Sequence, residues 1–219
     1  MKRPEIYLET KQRAAKIIEL LEKQFPNAKT ALNYSNPLEI LVATMLSAQT
    51  TDERVNIVTQ NLFKKYRAPE DYANVEIKEL EQDIRSTGFY HNKARNLKNC
   101  CRLLIEKYKS QVPKTMDEML ELPGVARKTA NIVLYNAYGI ISGIAVDTHV
   151  RRVSQRIGLT EHDDPAKIEQ DLMQITPKDK WMKLTDLLIL HGRQVCIARK
   201  PKCDICVLNK ICPTAFTFS

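Results

Sequence analysis

The chain of 219 residues is long enough for one large domain or two small ones, and its 43% hydrophobic content is ordinary for a globular protein with a buried core. Lysine and arginine total 34 against 26 acidic residues, and the net charge of +8 favours a polyanionic partner, although a merely basic soluble protein shows the same balance. No apolar run approaches the roughly 18 residues needed to span a bilayer, which excludes a membrane-spanning protein. The N-terminal residues MKRPEIYLETK lack an apolar export signal, so a cytoplasmic location is expected.

Apolar residues recur at three- and four-residue spacing along most of the chain, which is the pattern of amphipathic helices. The pattern predicts helices over 6–21, 38–46, 55–66, 97–108, 132–138, 150–157 and 181–190. Helix ends are predicted at Gly88, Gly139 and Gly158, and capping boxes at Thr50 with Glu53 and at Thr115 with Glu118. No segment alternates convincingly as a strand does. The predicted fold class is therefore all-α.

The stretch ELPGVARKT (121–129) carries two cations at a place where cations are disfavoured. A helix over 115–121, a turn containing Gly124 and a second helix ending at Tyr138 together predict a helix-hairpin-helix over 115–138. Arg127 and Lys128 stand in the first turn of the second helix, where the helix dipole opposes each cation by roughly 0.3–1 kcal/mol, and no Ser, Thr, Asp or Asn caps that turn. A nucleic-acid phosphate would supply the missing cap, whereas in isolation an ordinary turn capped by water explains the sequence as well.

Four of the six cysteines crowd into the segment 196–212. In a chain without an export signal, this clustering favours thiolate ligands to a metal over disulfides, and the expected ligands are Cys196, Cys203, Cys206 and Cys212. Zinc and an iron–sulfur cluster both accept four thiolates, and the spacing does not separate them. The adjacent Cys100 and Cys101 lie in a predicted amphipathic helix and are interpreted as small buried hydrophobes.

The hairpin LPGVARKTA, the segment AVDTHVRRV (145–153) and the four-cysteine loop resemble, in their order and spacing, the endonuclease III family of DNA repair glycosylases. LSAQTTDERVN (46–56) and GFYHNKARN (88–96) also resemble that family's loops that probe DNA, so the resemblance covers nearly the whole chain. One departure is Ala126, where the family's hairpin usually carries a second glycine. Relatives that excise mismatched adenine or thymine carry Ser or Tyr at the position of Lys128, so this lysine indicates the branch with lyase activity.

The resemblance implies two helical lobes, with the catalytic pair at the mouth of the cleft between them. A six-helix lobe over 26–140 would contain the hairpin, and residues 1–25 with 141–219 would form a second lobe that carries the iron–sulfur loop. The resemblance also implies a structural [4Fe–4S] cluster on the four cysteines. The expected partner is double-stranded DNA containing damaged bases or abasic sites, bound by a monomer.

The implied reaction is the excision of a damaged pyrimidine, with oxidised bases such as thymine glycol expected, and nicking of the strand by β-elimination through a Schiff base. Lys128 would attack the sugar C1′, and Asp147 would help to deprotonate the lysine and to stabilise positive charge on the sugar. Each residue also has a plainer interpretation, since most lysines are solvated at the surface and Asp147 is placed to cap a helix that begins at Thr148. His149 is interpreted as structural.

Several further residues are predicted to contact DNA. By resemblance, Gln49 would fill the hole left by the extruded base and Phe89 would be a wedge on the opposite strand, although a residue after a terminating glycine also folds back onto its own helix. The segment IARKPK would present a basic loop to the phosphates, with a solvated charged loop as the alternative. The remaining predicted contacts are Lys93, Arg95, Gly124, Val125 and Arg127, together with Arg199, Lys200 and Lys202 of the basic loop.

Other classes fit parts of the sequence. A mismatch-specific glycosylase of the same superfamily is one alternative, and the others are a non-enzymatic DNA-binding protein with a four-cysteine metal site and a ferredoxin-like electron carrier. Lys128 with Asp147 argues against the non-enzymatic protein, and a single four-cysteine set in a basic helical chain argues against the carrier.

Overall fold

The computed structural model describes residues 4–218, and this part of the chain is helical without a β-strand. The predicted all-α fold class is confirmed. Residues 1–3 of the predicted second lobe, and Ser219 at its other end, lie outside the described residues. The α-helices are α1 (Pro4–Gln24), α2 (Pro37–Leu46), α3 (Asp52–Lys65), α4 (Pro69–Asn74), α5 (Ile77–Ile84), α6 (Tyr90–Tyr108), α7 (Met116–Glu121), α8 (Arg127–Tyr138), α9 (Thr148–Arg156), α10 (Pro165–Ile175) and α11 (Trp181–Gln194). None of the helices described is long and apolar enough to cross a bilayer.

The helical pattern missed α4, α5 and α10 and placed the start of α6 too late. The first turns of α6 are polar, since Ala94 is the one aliphatic residue of the stretch YHNKARN, so no apolar spacing marks them. α4 is only six residues long, and proline begins both α4 and α10. Proline suits the first helical position because its missing N–H has no partner there.

The chain divides into two compact units, each described here by itself. We call Ala31–Ser142 the middle unit, and Met1–Thr30 with Gly143–Ser219 the terminal unit. These boundaries lie a few residues beyond the expected ones after positions 25 and 140. Contacts of the intervening segment account for the first difference, because Lys183 Nζ donates to the carbonyl oxygens of Pro26 and Ala28 (3.3 and 3.2 Å) and Ala28 joins the terminal core.

The middle unit is built around α2. Every residue of α2 from Ile40 to Leu46 is buried, as expected of a helix that is apolar on all sides. α2 packs against α3, α6 and α8, while α6 also packs against α4 and α5. The unit contains seven helices rather than the expected six, counting the six-residue α4. The packing of α8 on α2 fixes the hairpin formed by α7 and α8 to the centre of this unit.

The terminal unit has its own core around α11. This helix packs against α9 and α1, and α1 also contacts α10. Val150, Val153 and Ile157 turn one face of α9 into this core, where Leu184 and Leu188 of α11 are fully buried. The packing fixes the orientation of α9, the helix that begins directly after Asp147.

Of the two predicted capping boxes, one gives the expected N-cap bond and the other is wrong. Thr115 caps α7, because its Oγ1 accepts a bond from the backbone N–H of Glu118 (3.3 Å). α3 is capped by Thr51 and not by Thr50, whose hydroxyl instead donates to the carbonyl oxygen of Thr87. The predicted glycine ends of α8 and α9 are found at Gly139 and Gly158, with φ of 69° and 71°.

The two cysteines of α6 lie in the core, as predicted. Cys100 and Cys101 are each 1% exposed. Burial raises the pKa of Cys100 to about 12 and also raises that of Cys101, because a thiolate is costly in an apolar environment. Both therefore act as small hydrophobes rather than as nucleophiles or ligands.

Candidate active site and metal centre

The hairpin turn has the geometry that its sequence predicts. Gly124 has φ of 80°, and a Cβ built there would lie 2.9 Å from Cβ of Asn96, so both the backbone angle and the space demand glycine. Val125, a predicted DNA contact, is instead buried against the middle core, and its backbone N–H donates to Leu122 O (3.0 Å), so this residue holds the turn. Ala126 is the N-cap of α8 and no side chain caps this end. The positive end of the helix dipole is thus available to an anion.

Lys128 is exposed in the first turn of α8, where it follows the exposed Arg127. Nothing in the packing of α8 requires a cation there, because the buried face of the helix is made by Ala130, Val133 and Leu134. The helix dipole disfavours a cation at this position, and the exposed side chain gains no burial that would offset this cost. A functional role therefore explains Lys128 better than a role in folding.

Asp147 is the N-cap of α9, as predicted. Its Oδ1 accepts bonds from the backbone N–H groups of His149 (2.8 Å) and Val150 (2.7 Å). Both bonds fall on the same oxygen, so capping does not use Oδ2. The carboxylate can therefore hold its helix and serve as a proton acceptor at once.

His149 lies beside this aspartate and is half-buried. Burial lowers its pKa, the nearby Arg152 and Arg193 guanidinium groups lower it further, and only Asp147 and a backbone bond oppose them. Its Nδ1 lies 3.2 Å from Arg152 Nη2. A neutral imidazole paired with a guanidinium in this way fits the structural role that the sequence suggested.

The loop after α11 brings the four clustered cysteines to the lining of one small cavity. No three His, Cys, Asp or Glu side chains among the described residues lie close enough to share one metal ion. A single zinc needs its four sulfurs about 2.3 Å from one point, whereas an iron–sulfur cluster spreads its ligands over several irons. Four thiolates around one cavity match the number of ligands that either group takes. The cysteines lining the cavity are Cys196, Cys203, Cys206 and Cys212.

Nitrogen donors surround these sulfurs. Arg156 Nη1 lies 3.6 Å from Cys196 Sγ, His191 Nε2 lies 3.6 Å from Cys206 Sγ, and the backbone N–H of Phe216 is 3.5 Å from Cys203 Sγ. Burial raises the pKa of Cys206, and its neighbouring sulfurs raise it further, so the positive charge of bound iron is what would hold it as a thiolate. The nitrogen donors would stabilise thiolates once iron is bound.

Two arginines of α9 hold the start of the loop, a role that only their four-residue spacing could have indicated. Arg152 Nη2 donates to the carbonyl oxygens of Gly192 (2.8 Å) and Cys196 (3.1 Å). Arg156 donates to those of Ile197 (2.8 Å) and Ala198 (2.9 Å). Residues one helical turn apart share a face, so α9 supports the cluster loop along one side. The helix that begins at Asp147 thus also organises the metal centre.

Gln49 and Phe89 are exposed and line one depression in the middle unit, together with Asn92, Asn96 and Gly124. Both have left-handed backbones, with φ of 54° and 47°, which for such residues costs on the order of 1–3 kcal/mol each. Phe89 is 64% exposed and does not fold back onto α6. The structure therefore brings the two predicted DNA-probing side chains together with the hairpin glycine.

The prediction that Lys93 contacts phosphate is wrong. Its side chain is buried, and its ammonium donates to Leu46 O, Thr50 Oγ1 and Thr87 O, each at 2.8 Å. An ammonium has three donors, so these bonds use all of them. Burial lowers the pKa of Lys93 to about 8. Arg95, by contrast, is exposed on the same helix, where its Nη2 donates to Asn92 Oδ1 (2.6 Å).

The predicted basic loop is exposed at Arg199, Lys200 and Lys202. Lys200 adopts φ of 52°, and the backbone N–H of Lys202 donates to Val195 O (3.0 Å), which fixes the loop to the end of α11. The three cations are therefore carried on an ordered loop.

Comparison with known proteins agrees with this geometry. Residues 42–178 match the family described as HhH-GPD superfamily base excision DNA repair protein, and residues 196–212 match the iron–sulfur binding domain of endonuclease III. The chain is 51% identical over 205 residues to endonuclease III of Synechocystis sp., with 94% of each chain covered. Two solved structures, a non-covalent endonuclease III–DNA complex and a trapped endonuclease III–DNA covalent intermediate with an estranged adenine, each have TM-score 0.91 and 47% identity and cover 94% of this chain and 97% of theirs.

The all-helical fold, the hairpin and the matched domains define a base excision repair DNA glycosylase of the helix-hairpin-helix class. Within that class, the chain belongs to the endonuclease III family. It is a bifunctional enzyme, with DNA glycosylase and AP lyase activities, that acts on DNA and carries a [4Fe–4S] cluster. The predictions of family, activity and cofactor are confirmed.

Replacing one of the four clustered cysteines should cause loss of the iron–sulfur cluster. In Cys203→Ser, we expect loss of the brown colour and of stoichiometric iron and sulfide, because the site orders a short segment that has little apolar core. Hydrogen exchange should speed up across residues 196–212 while the amides of α2 stay protected. Cys100→Ser, which touches no ligand, should keep its iron. Full iron and sulfide in Cys203→Ser, or zinc in anaerobically purified parent protein, would contradict this assignment.

The basic loop should act through charge alone. We expect Lys200→Ala and Lys202→Ala each to reduce the slope of log binding constant against log salt by about 0.9, and to weaken binding to damaged and undamaged duplex alike. Lys167→Ala, at an exposed position of α10 in the same unit, is the matched control. An unchanged slope in both loop variants would make this a solvated loop without DNA contact.

Proposed function

We propose that the enzyme excises oxidised pyrimidines, such as thymine glycol, from duplex DNA, and that Lys128 and Asp147 are its catalytic residues. The observation that carries the proposal is the uncapped start of α8 behind a glycine turn, with an exposed lysine in its first turn. The positive end of the helix dipole and the uncapped backbone N–H groups suit a phosphate. A phosphate bound there would place the DNA strand beside Lys128.

The chemistry follows from the two side chains. The Lys128 amine attacks C1′ of the nucleotide whose base is extruded, the N-glycosidic bond breaks, and the base leaves with the bonding electron pair. Asp147 accepts the proton that the amine loses, and its negative charge stabilises the positive charge that develops on the sugar. The sugar ring opens to an iminium, loss of a C2′ proton expels the 3′-phosphate, and water releases the lysine.

Binding is assigned to surfaces of both units. In the middle unit, the backbone N–H of Gly124 and the side chain of Arg127 would contact phosphate, while Gln49 would fill the vacated stack and Phe89 would wedge the opposite strand. Arg95 and the three cations of the basic loop would add non-specific phosphate contacts. The four thiolates would hold the [4Fe–4S] cluster, which when bound supplies structural stability to the loop.

We further propose that the enzyme acts as a monomer in the cytoplasm, where its DNA substrate lies. This is the family expectation, and the similar proteins of Synechocystis sp. and Bacillus subtilis come from bacteria. Sedimentation of the protein alone and with a short duplex should give one copy of the chain in each case.

A panel of duplexes tests the lesion class. Each carries one thymine glycol, one dihydrouracil, one abasic site, one G·T mismatch or no lesion, and release of the base and strand nicking are measured separately. We expect excision and nicking of the oxidised pyrimidines and nicking of the abasic site. Preference for the G·T mismatch, with base release but no nick, would instead support the mismatch-specific alternative.

A further inference from the structure

The buried ammonium of Lys93 joins two loops that are distant in sequence. One of its acceptors is the carbonyl oxygen of Leu46, the last residue of α2, and another is the hydroxyl of Thr50, the residue after Gln49. The third, Thr87 O, lies just before Gly88 and Phe89. The Thr50 hydroxyl also donates to Thr87 O, so the loops are bonded to each other as well as to the lysine.

Each segment closed by this ammonium contains one non-glycine residue with a left-handed backbone. Gln49, with φ of 54°, lies between the acceptors Leu46 and Thr50, and Phe89, with φ of 47°, lies between Thr87 and Lys93 itself. Strained backbone of this kind persists only where its surroundings over-determine it. The bonds of Lys93 to Leu46 and Thr50 fix both ends of the segment around Gln49. The bond to Thr87 closes the segment that contains Phe89, so these bonds constrain both strained residues.

We propose that Lys93 is a positioning residue, which sets the spacing and orientation of Gln49 and Phe89 for insertion into the DNA duplex. This inference rests on the proposed DNA contacts of those two residues. The ammonium itself touches no DNA, since its three donors are used inside the protein and the side chain is 7% exposed. Its effect on excision is transmitted through the two loops.

The choice of lysine is informative in its own right. Leu46 O, Thr50 Oγ1 and Thr87 O all face the ammonium at one distance, and three acceptors around three donors leave no group unpaired. Methionine has a similar length but no donor, so Lys93→Met removes the link while filling the same space. Thr50→Val is a milder change that removes one acceptor together with the bond to Thr87.

The test combines single-turnover excision with fluorescence of 2-aminopurine placed next to thymine glycol, which reports unstacking. In Lys93→Met we expect excision to slow roughly ten- to hundredfold, because displacement of a positioned group by about 1 Å can cost that much. The fluorescence rise should shrink in step, while the salt slope for undamaged duplex stays at the parent value. Thr50→Val should show a smaller loss of the same kind, and Arg102→Met, exposed on the same helix, should show none.

A double-mutant comparison isolates the route of the effect. In a Gln49→Ala, Phe89→Ala background, Lys93→Met should slow excision less than twofold further, because the side chains that it positions are gone. A full additional loss there, a shallower salt slope, or normal excision and fluorescence by Lys93→Met would overturn the proposal. Should Lys93→Met fail to fold, the same comparison with Thr50→Val decides. Parent-like excision by the Gln49→Ala, Phe89→Ala protein would instead show that these two residues do not act on the DNA. Absence of excision by the parent protein would refute the proposed lesion class.

Discussion

Lys128→Gln protein should form no covalent adduct when borohydride is added during turnover on a thymine glycol duplex. Borohydride reduces an imine between the lysine and the sugar to a stable amine, and an amide side chain cannot form that imine. Excision and nicking should fall together, on the order of 10³-fold or more, as when other enzymes lose their nucleophile. Gel electrophoresis of labelled duplex measures both the adduct and the nick.

Stability gives this variant an internal control. Removing a cation from the positive end of α8 should raise the free energy of unfolding by roughly 0.3–1 kcal/mol, since the side chain is exposed and contributes nothing to the core. Arg127→Gln removes the neighbouring cation from the same turn and should still trap at saturating protein. Robust trapping by Lys128→Gln would place the nucleophile elsewhere.

Asp147→Asn should separate excision from strand cleavage. The nucleophile remains, but the carboxylate that accepts its proton and stabilises the sugar cation is lost, so excision of an intact lesion should slow roughly 10²- to 10⁴-fold. A preformed abasic site needs no base expelled and should be processed better than the intact lesion. Rates on the two duplexes, measured under single-turnover conditions, give the ratio.

The chain offers a matched control for capping. Asp164 caps α10 with the same pattern, its Oδ1 accepting from the backbone N–H groups of Ala166 (3.1 Å) and Lys167 (3.0 Å). Asn caps about as well as Asp, so both Asn variants should lose at most about 1 kcal/mol of stability. Only the Asp147 variant should lose excision. Near-normal excision by Asp147→Asn would leave that residue a cap and nothing more.

The sequence was sufficient where the signal is local. The turn at Gly124, the cap at Asp147 and the four cysteines all depend on residues within a few positions of one another, and each lies where it was expected. The sequence did not distinguish two neighbouring threonines as the N-cap of α3. Thr50 and Thr51 both precede this helix, and only the hydrogen bond from Thr50 to the carbonyl oxygen of Thr87 shows that Thr50 is not the cap.

The largest error concerns a residue whose partners are remote. The prediction that Lys93 contacts phosphate belongs to the segment GFYHNKARN, which resembles a DNA-probing loop. Its acceptors come from the end of α2 and from the loop before α6, and no sequence pattern near position 93 indicates these contacts. The supporting role of Arg152 and Arg156 was missed for the same reason, since the carbonyl groups they bind lie some forty residues away.

The alanine at the N-cap of α8 has a consequence for the unfolded chain. Ala126 has φ of −93° and ψ of 168°, an extended conformation open to any residue, so the departure from the family's usual glycine brings no strain. Alanine samples fewer backbone states than glycine before folding, and at a compatible site this difference stabilises a protein by about 0.4–1 kcal/mol. The start of α8 is therefore already restricted in the unfolded chain, and less conformational entropy is lost when the hairpin forms.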